Sequence, residues 1–290
     1  MQTLNEQPVL LCDALNLFIR SFAAFPQMSA DGEQVGGVVG FLKTLRKVIY
    51  EQKPKSVYVV WEGGGSSRRR SLFKEYKQNR RPEKLNRFYG DDIPESEENK
   101  LKQVRTLLSV LKHVPVCQLY VNDCEADDVI AFLWSKLKQD NKLIASSDKD
   151  FYQLLDDNTQ MYSFHKKALV TRDDVFSQFF IKTRNFALAK SVCGDPSDNV
   201  PGVRGVGFKT FVKRFPQVVE DRDVLLDDLF AYSTAKRHEH PVYQRVLDSE
   251  NDIRRNWKLV YLDGSMLTHE QKKQVDVVVD SYVPKFDKLG

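Results

Sequence analysis

The chain has 290 residues and a mass of 33.5 kDa, enough for one large or two ordinary domains whose core needs no disulfide staples. Hydrophobic residues make up 41% and charged residues 29%, which excludes a wholly disordered or collagen-like chain; no apolar run approaches the roughly 20 residues of a membrane span. Net charge is only +4, yet residues 68–87 carry nine bases against two acids. Such a block suits a localised polyanion contact better than general stickiness.

The first dozen residues hold no basic leader followed by an apolar stretch, so the expectation is a soluble, cytoplasmic protein. Four cysteines without close pairing read as buried reduced thiols. His238 and His240 are two apart and share no helix face, which argues against a zinc enzyme.

Taken in chain order, short apolar runs alternate with helical patterns. Residues 8–12 and 56–61 read as buried strands, as do 116–121 and 142–146. Helical spacing covers residues 35–50 and 99–112, and Asp123 is the expected N-cap of a helix through Leu137. The alternation predicts an α/β domain with a mostly parallel sheet over residues 1–165. Residues 63–98 are glycine-rich and then highly charged, too long for an ordinary connection, and read as an arch, lid or binding loop. Phe73, Tyr76 and Phe88 interleave with its bases and offer faces on which nucleobases stack. After about residue 170 the pattern turns helical, near 172–181, 183–193, 207–215, 222–234 and 239–256, with a glycine-rich turn at 202–207.

The carboxylates fall where the strands end. Asp13 follows the first strand and Glu62 the second. Glu125, Asp127 and Asp128 open the helix after the third, Asp148 and Asp150 follow the fourth, and Asp195 and Asp198 lie in a proline turn. Singly, each has an ordinary reading as a cap, a first-turn acid or a turn residue. Jointly, they predict one acidic crevice at the carboxyl edge of the sheet. Carboxylates so crowded repel unless cations neutralise them, and oxygen-only ligands select hard metals such as Mg²⁺ or Mn²⁺. Two such ions can clamp a phosphodiester during hydrolysis.

The motifs LLCDALNLFIRSF (10–22), RRRSLFKEYKQNR (68–80), EADD (125–128), SSDKDFYQLL (146–155) and GDPSDNVPGVRGVGFKT (194–210), in that order, resemble the structure-specific 5′ nucleases. The likeness is nearest to the bacteriophage members and the 5′ nuclease domain of bacterial DNA polymerase I. It implies a PIN-like nuclease core over residues 1–180 that includes the arch region 63–98. A helical region over 181–290 would follow, with a helix–three-turn–helix near 183–215. By this resemblance Asp13, Glu62, Glu125, Asp127, Asp128, Asp148, Asp150, Asp195 and Asp198 form the metal site. Glu62 stands where the family usually has Asp, which moves its charge outward by one methylene. Arg69 and Lys77 would hold the scissile phosphate, Tyr76 would stack on a base, and Arg80 would bind DNA. Gly202, Gly205, Gly207 and Lys209 would grip duplex DNA, with K⁺ at the turn.

The activity implied is Mg²⁺-dependent cleavage of DNA with 5′ flaps, nicks or 5′ ends, extending to RNA–DNA hybrids. A monomer working with replication proteins is the expected setting. The competing expectations are a catalytically weak DNA-binding relative, a PIN-type ribonuclease and, last, an aspartate-dependent phosphatase.

Overall fold

The computed structural model describes residues 7–78 and 97–284. Arg80, Arg81, Lys84, Arg87, Phe88 and the acids Asp91, Asp92 and Glu95 lie outside the described residues.

Six strands form one sheet in the order β3-β2-β1-β4-β5-β6. They are β1 (Val9–Asp13), β2 (Ser56–Trp61), β3 (Cys117–Tyr120), β4 (Lys142–Ala145), β5 (Thr159–Ser163) and β6 (Ala168–Val170). The first five run parallel, and β6 returns antiparallel on β5. The expected strands are all present, but β5 and β6 were not expected. In β5 the polar Thr159, Gln160 and Ser163 interrupt the apolar run, although all five of its residues are buried. The sheet grows from β1 outward in both directions, so β1 and β4 flank the point where the winding reverses. In open sheets of this kind the crevice opens there.

Helices cover both faces. One face packs α1 (Ala14–Ala24), α2 (Gly36–Gln52) and α4 (Glu97–Val110) against Leu10, Cys12, Val57 and Val59. The opposite face packs α5 (Ala126–Lys136) and α12 (His269–Ser281) against Leu11, Tyr58, Val60 and Ile144. Between α2 and α4 lies the short α3 (Ser67–Leu72). Alternate strand residues supply the two cores, as the period of two requires.

The expected cap of α5 needs correction. Glu125 is its N-cap residue, while the Asp123 carboxylate accepts bonds from the Ser67 backbone and hydroxyl, tying the start of α3 to the loop after β3. The reason is local: Asp123 has φ +55°, a turn conformation two residues short of the helix.

A third core lies in the helices beyond the sheet: α6 (Arg172–Phe179), α7 (Phe186–Cys193), α8 (Phe208–Arg214), α9 (Leu226–Lys236), α10 (Pro241–Asp248) and α11 (Glu250–Val260). Leu188, Val192, Phe211, Phe215, Leu229, Val246 and Ile253 form its centre. The single helical pattern expected over 239–256 is two helices, α10 and α11, divided at Ser249. Among the described residues, no helix is long and apolar enough to cross a membrane.

Candidate active site

The carboxyl edge of the sheet opens into a crevice of about 1170 Å³, lined by Asp13, Glu62, Glu125, Asp127, Asp148 and Asp195 with Arg20, Lys77 and Lys190. Each side chain has an identifiable positioner. Asp13 caps α1 through the Asn16 amide (3.1 Å) and accepts the Ser146 hydroxyl (2.9 Å). Burial pushes its carboxyl up to about 7 against those two bonds, with Asp148 and Asp127 adding to the rise. Glu62 accepts the Ala126 amide at the start of α5 (3.3 Å). Burial, then Glu125 and Asp127, push it up to about 7 as well.

Gly63 fixes this loop. A Cβ there would lie 1.7 Å from the Val121 carbonyl oxygen, and its amide donates to Cys124 O (3.1 Å). Only glycine lets the loop after β2 approach the loop after β3 so closely.

On the other side of the switch point, Asp148 accepts the Asp150 amide (2.9 Å). Its carboxyl rises to about 6 through burial, which Lys190 opposes and Asp127 and Asp198 reinforce. Carboxylate oxygens of Asp150, Asp195 and Asp198 lie within 4.8 Å of one another. Lys190, on α7, donates to Asp150 and to Asp195 (2.6 Å). Burial alone would raise the Asp195 carboxyl, but Lys190 and Ser197 outweigh it and hold it below the usual range.

The two halves are joined from outside by residues 75–77. The Tyr76 hydroxyl lies 3.1 Å from Glu125 Oε2 and 3.3 Å from Asp198 Oδ2. Lys77 donates its amide to Asp198 O (2.9 Å) and its ammonium to Glu125. Asn199 Nδ2 donates to Glu75 O (2.8 Å). Lys77 itself adopts a left-handed φ of +57°, a conformation that costs a non-glycine residue about 1–2 kcal/mol and that these contacts hold in place.

Three expectations change. Arg69 was expected at a phosphate, yet it is 0% exposed. Its guanidinium clasps Asp128 through both terminal nitrogens, and Nε donates to Leu259 O (3.0 Å). Asp128, expected as a metal ligand, is therefore the partner of a buried arginine. Tyr76 was expected as a stacking face, but it is 6% exposed and packs among Ala187, Val200, Leu259 and Val260. The aromatic ring serves the core here, and its hydroxyl serves the carboxylates.

The glycine turn divides by position. A Cβ on Gly202 would lie 2.1 Å from Cys193 O, so this glycine permits close approach to α7 rather than to a ligand. Gly205 has φ +74°, and a Cβ on Gly207 would meet nothing within 4 Å. Val203 and Val206 are buried, while Arg204 and Lys209 face solvent.

Arg20 and Lys190 were missed. Arg20 follows Asp13 by seven residues, two helical turns, which places it on the same face of α1, about 10 Å further along the axis. Lys190 had a legible signal: it is the one charge in the apolar helix FALAKSVC. The donor set suits a hard divalent cation. It is all oxygen, and Asp127 Oδ1 is buried without a hydrogen-bond partner, with Arg69 Nη1 3.6 Å away.

A sequence profile described as "5′-3′ exonuclease, N-terminal resolvase-like domain" matches residues 8–180. The chain is 29% identical over 222 residues to a 5′-3′ exonuclease of Buchnera aphidicola from Schizaphis graminum, covering 74% of this chain and 72% of the relative. It is 31% identical over 216 residues to the 5′-3′ exonuclease of a second Buchnera aphidicola strain, from Acyrthosiphon pisum, covering 72% and 70%. Thermostable DNA polymerase I of Thermus thermophilus is 32% identical over 209 residues, which are 71% of this chain but 23% of that protein. In three dimensions, bacteriophage T5 5′-exonuclease with bound zinc superposes with a TM-score of 0.76 at 18% identity, covering 96% of this chain and 100% of that one. The T5 D15 flap endonuclease with DNA and metal ions gives 0.73 at 19%, covering 94% and 98%. These structures share the fold. The acidic crevice at the switch point thus stands on a nuclease scaffold, and the chain belongs to the 5′-3′ exonuclease family of hydrolases.

Proposed function

We propose that this protein is a Mg²⁺-dependent, structure-specific 5′ nuclease that hydrolyses DNA at 5′ flaps, nicks and 5′ ends. The observation that carries the proposal is the convergence of carboxylates from four strand ends and the 195–198 turn on one crevice that also holds Arg20, Lys77 and Lys190. The named relatives and the DNA-bound structural neighbours support the same reading.

Asp13, Glu62, Glu125, Asp127 and Asp148 would hold one side of a divalent-metal site, with Asp150, Asp195 and Asp198 on the other. Bound Mg²⁺, with Mn²⁺ as a substitute, would supply an activated water and neutralise charge on the leaving oxygen. Lys77, 21% exposed and fixed at the rim, would hold the scissile phosphate, with Arg20 lining the same crevice. Products would carry a 5′-phosphate and a 3′-hydroxyl.

The exposed Arg204, Gly205 and Gly207, followed by Lys209, would receive the duplex backbone, with K⁺ at the turn. Arg80 would extend the contact along the strand. The division into a nuclease core (1–180) and a helical DNA-binding region (181–290) belongs to the same reading. So do a monomeric state, cytoplasmic location, tolerance of RNA–DNA hybrids and a place in primer or flap removal with replication proteins.

A product map on end-labelled 5′-flap, nicked and 5′-overhang DNA, with Mg²⁺ and with EDTA, tests the proposal. Cleavage near the branch in Mg²⁺ alone is expected. Binding without cleavage in either condition would overturn it.

A further inference from the structure

Lys190 is the one charged residue of a largely apolar, buried helix, and its side chain is 9% exposed. Desolvating an ammonium is costly, so lysine in this setting needs a compensating partner. It has two. Its ammonium donates to Asp150 and to Asp195 Oδ2 (2.6 Å), which are two of the three carboxylates whose oxygens converge within 4.8 Å. Three carboxylates this close repel one another, and a single internal cation already answers part of that repulsion. The ammonium and an incoming divalent ion would therefore seek the same oxygens.

We propose that Lys190 is an internal counter-ion. It holds Asp150 and Asp195 together in the metal-free protein and competes with a divalent cation for them, so it sets how tightly that cation binds. The inference rests on reading the acidic crevice as a divalent-metal site. Lysine suits the task because its flexible four-carbon stem lets the ammonium withdraw, whereas the Arg69 guanidinium, locked by both nitrogens on Asp128, has no comparable freedom. Lys190 also lines the crevice, which gives the withdrawn ammonium an open side.

The substitution Lys190→Met keeps the stem and removes the charge. Mn²⁺ is titrated calorimetrically into the metal-free full-length proteins without DNA. Mn²⁺ at the Asp150–Asp195 carboxylates is expected to bind the variant at least about tenfold more tightly than the wild type, because a competing positive charge is gone. Its melting temperature should be lower in EDTA and rise more steeply with Mn²⁺. A second measurement needs only wild-type protein: acetic anhydride labelling of Lys190, read by mass spectrometry, should be low in EDTA and rise at saturating Mn²⁺. Equal Mn²⁺ affinities in the two folded proteins would overturn the proposal, as would Lys190 labelling that Mn²⁺ leaves unchanged. If Lys190→Met does not fold in EDTA, the labelling decides alone. Failure of Mn²⁺ to bind either protein would instead remove the metal reading itself, and this inference with it.

Discussion

The two halves of the acidic crevice meet their charge problem differently. On the α5 side, Asp128 is paired with a fully buried arginine that also donates to the Leu259 carbonyl at the end of α11 and lies 3.2 Å from Glu125 Oε2. On the α7 side, Asp150 and Asp195 share a lysine that also borders open space. A guanidinium held at three points is part of the framework; an ammonium on a flexible stem is exchangeable. The Asp128 pairing is thus built to stay as it is, and the ammonium on Asp150 and Asp195 is the one proposed to yield to a divalent cation. The comparison also explains the C-terminal helices. They close over the base of α3, and Asn256 on α11 donates to Ser191 O and Pro201 O, so this region braces both halves from behind.

Four experiments can break or sharpen that contrast. The largest effect is expected from Arg69→Ala. Removing the partner leaves Asp128 buried and uncompensated, which costs about 3–5 kcal/mol, read as a lower urea midpoint. A variant of wild-type stability with only a catalytic defect would show that Arg69 belongs at the phosphate after all. Next, Asp148→Asn removes a proposed ligand and a repelling charge. Cleavage in Mg²⁺ should fall at least about a hundredfold, equivalent to about 2.7 kcal/mol, while flap-DNA affinity stays the same or improves. Wild-type turnover would exclude Asp148 from the site.

Lys77→Ala should reduce single-turnover cleavage about tenfold, or about 1.4 kcal/mol, with little change in stability, since its ammonium lies at the rim. If Arg69→Ala and Lys77→Ala gave the same pair of changes, the division between framework and rim would fail.

The smallest effect concerns pH. In the metal-free protein Asp13 and Glu62 titrate near 7 and Asp148 near 6, above their ordinary values of 3.8 to 4.5. The folded state therefore binds more protons between those limits. Stability is fully present below about 4 and is lost as pH rises through about 6 to 7. Melting temperature in EDTA should accordingly fall from pH 5 to pH 8, and Mg²⁺ should remove most of that decline. A metal-free melting temperature that climbs over this range would contradict the buried, uncompensated state of these acids.

Much of this architecture was legible in the chain. Four strands could be read because buried parallel strands are continuous apolar runs, and the acids after them marked the functional edge because each stands where its strand stops. What escaped were features that depend on partners distant in sequence. β5 is hidden by its own polar residues and exists because β4 offers it a ladder. Arg69, Lys77 and Tyr76 share one basic, aromatic stretch that reads as a single binding surface. In three dimensions their depths differ: Arg69 meets Asp128, Tyr76 enters a small core, and Lys77 alone of the three reaches the rim. Sequence by itself determined the fold class, the sheet edge on which the carboxylates gather and the all-oxygen character of that cluster, because periodicity and residue type are local properties. Tertiary structure decided which cation faces which carboxylate, because burial and ion pairing are properties of neighbours that the order of residues does not bring together.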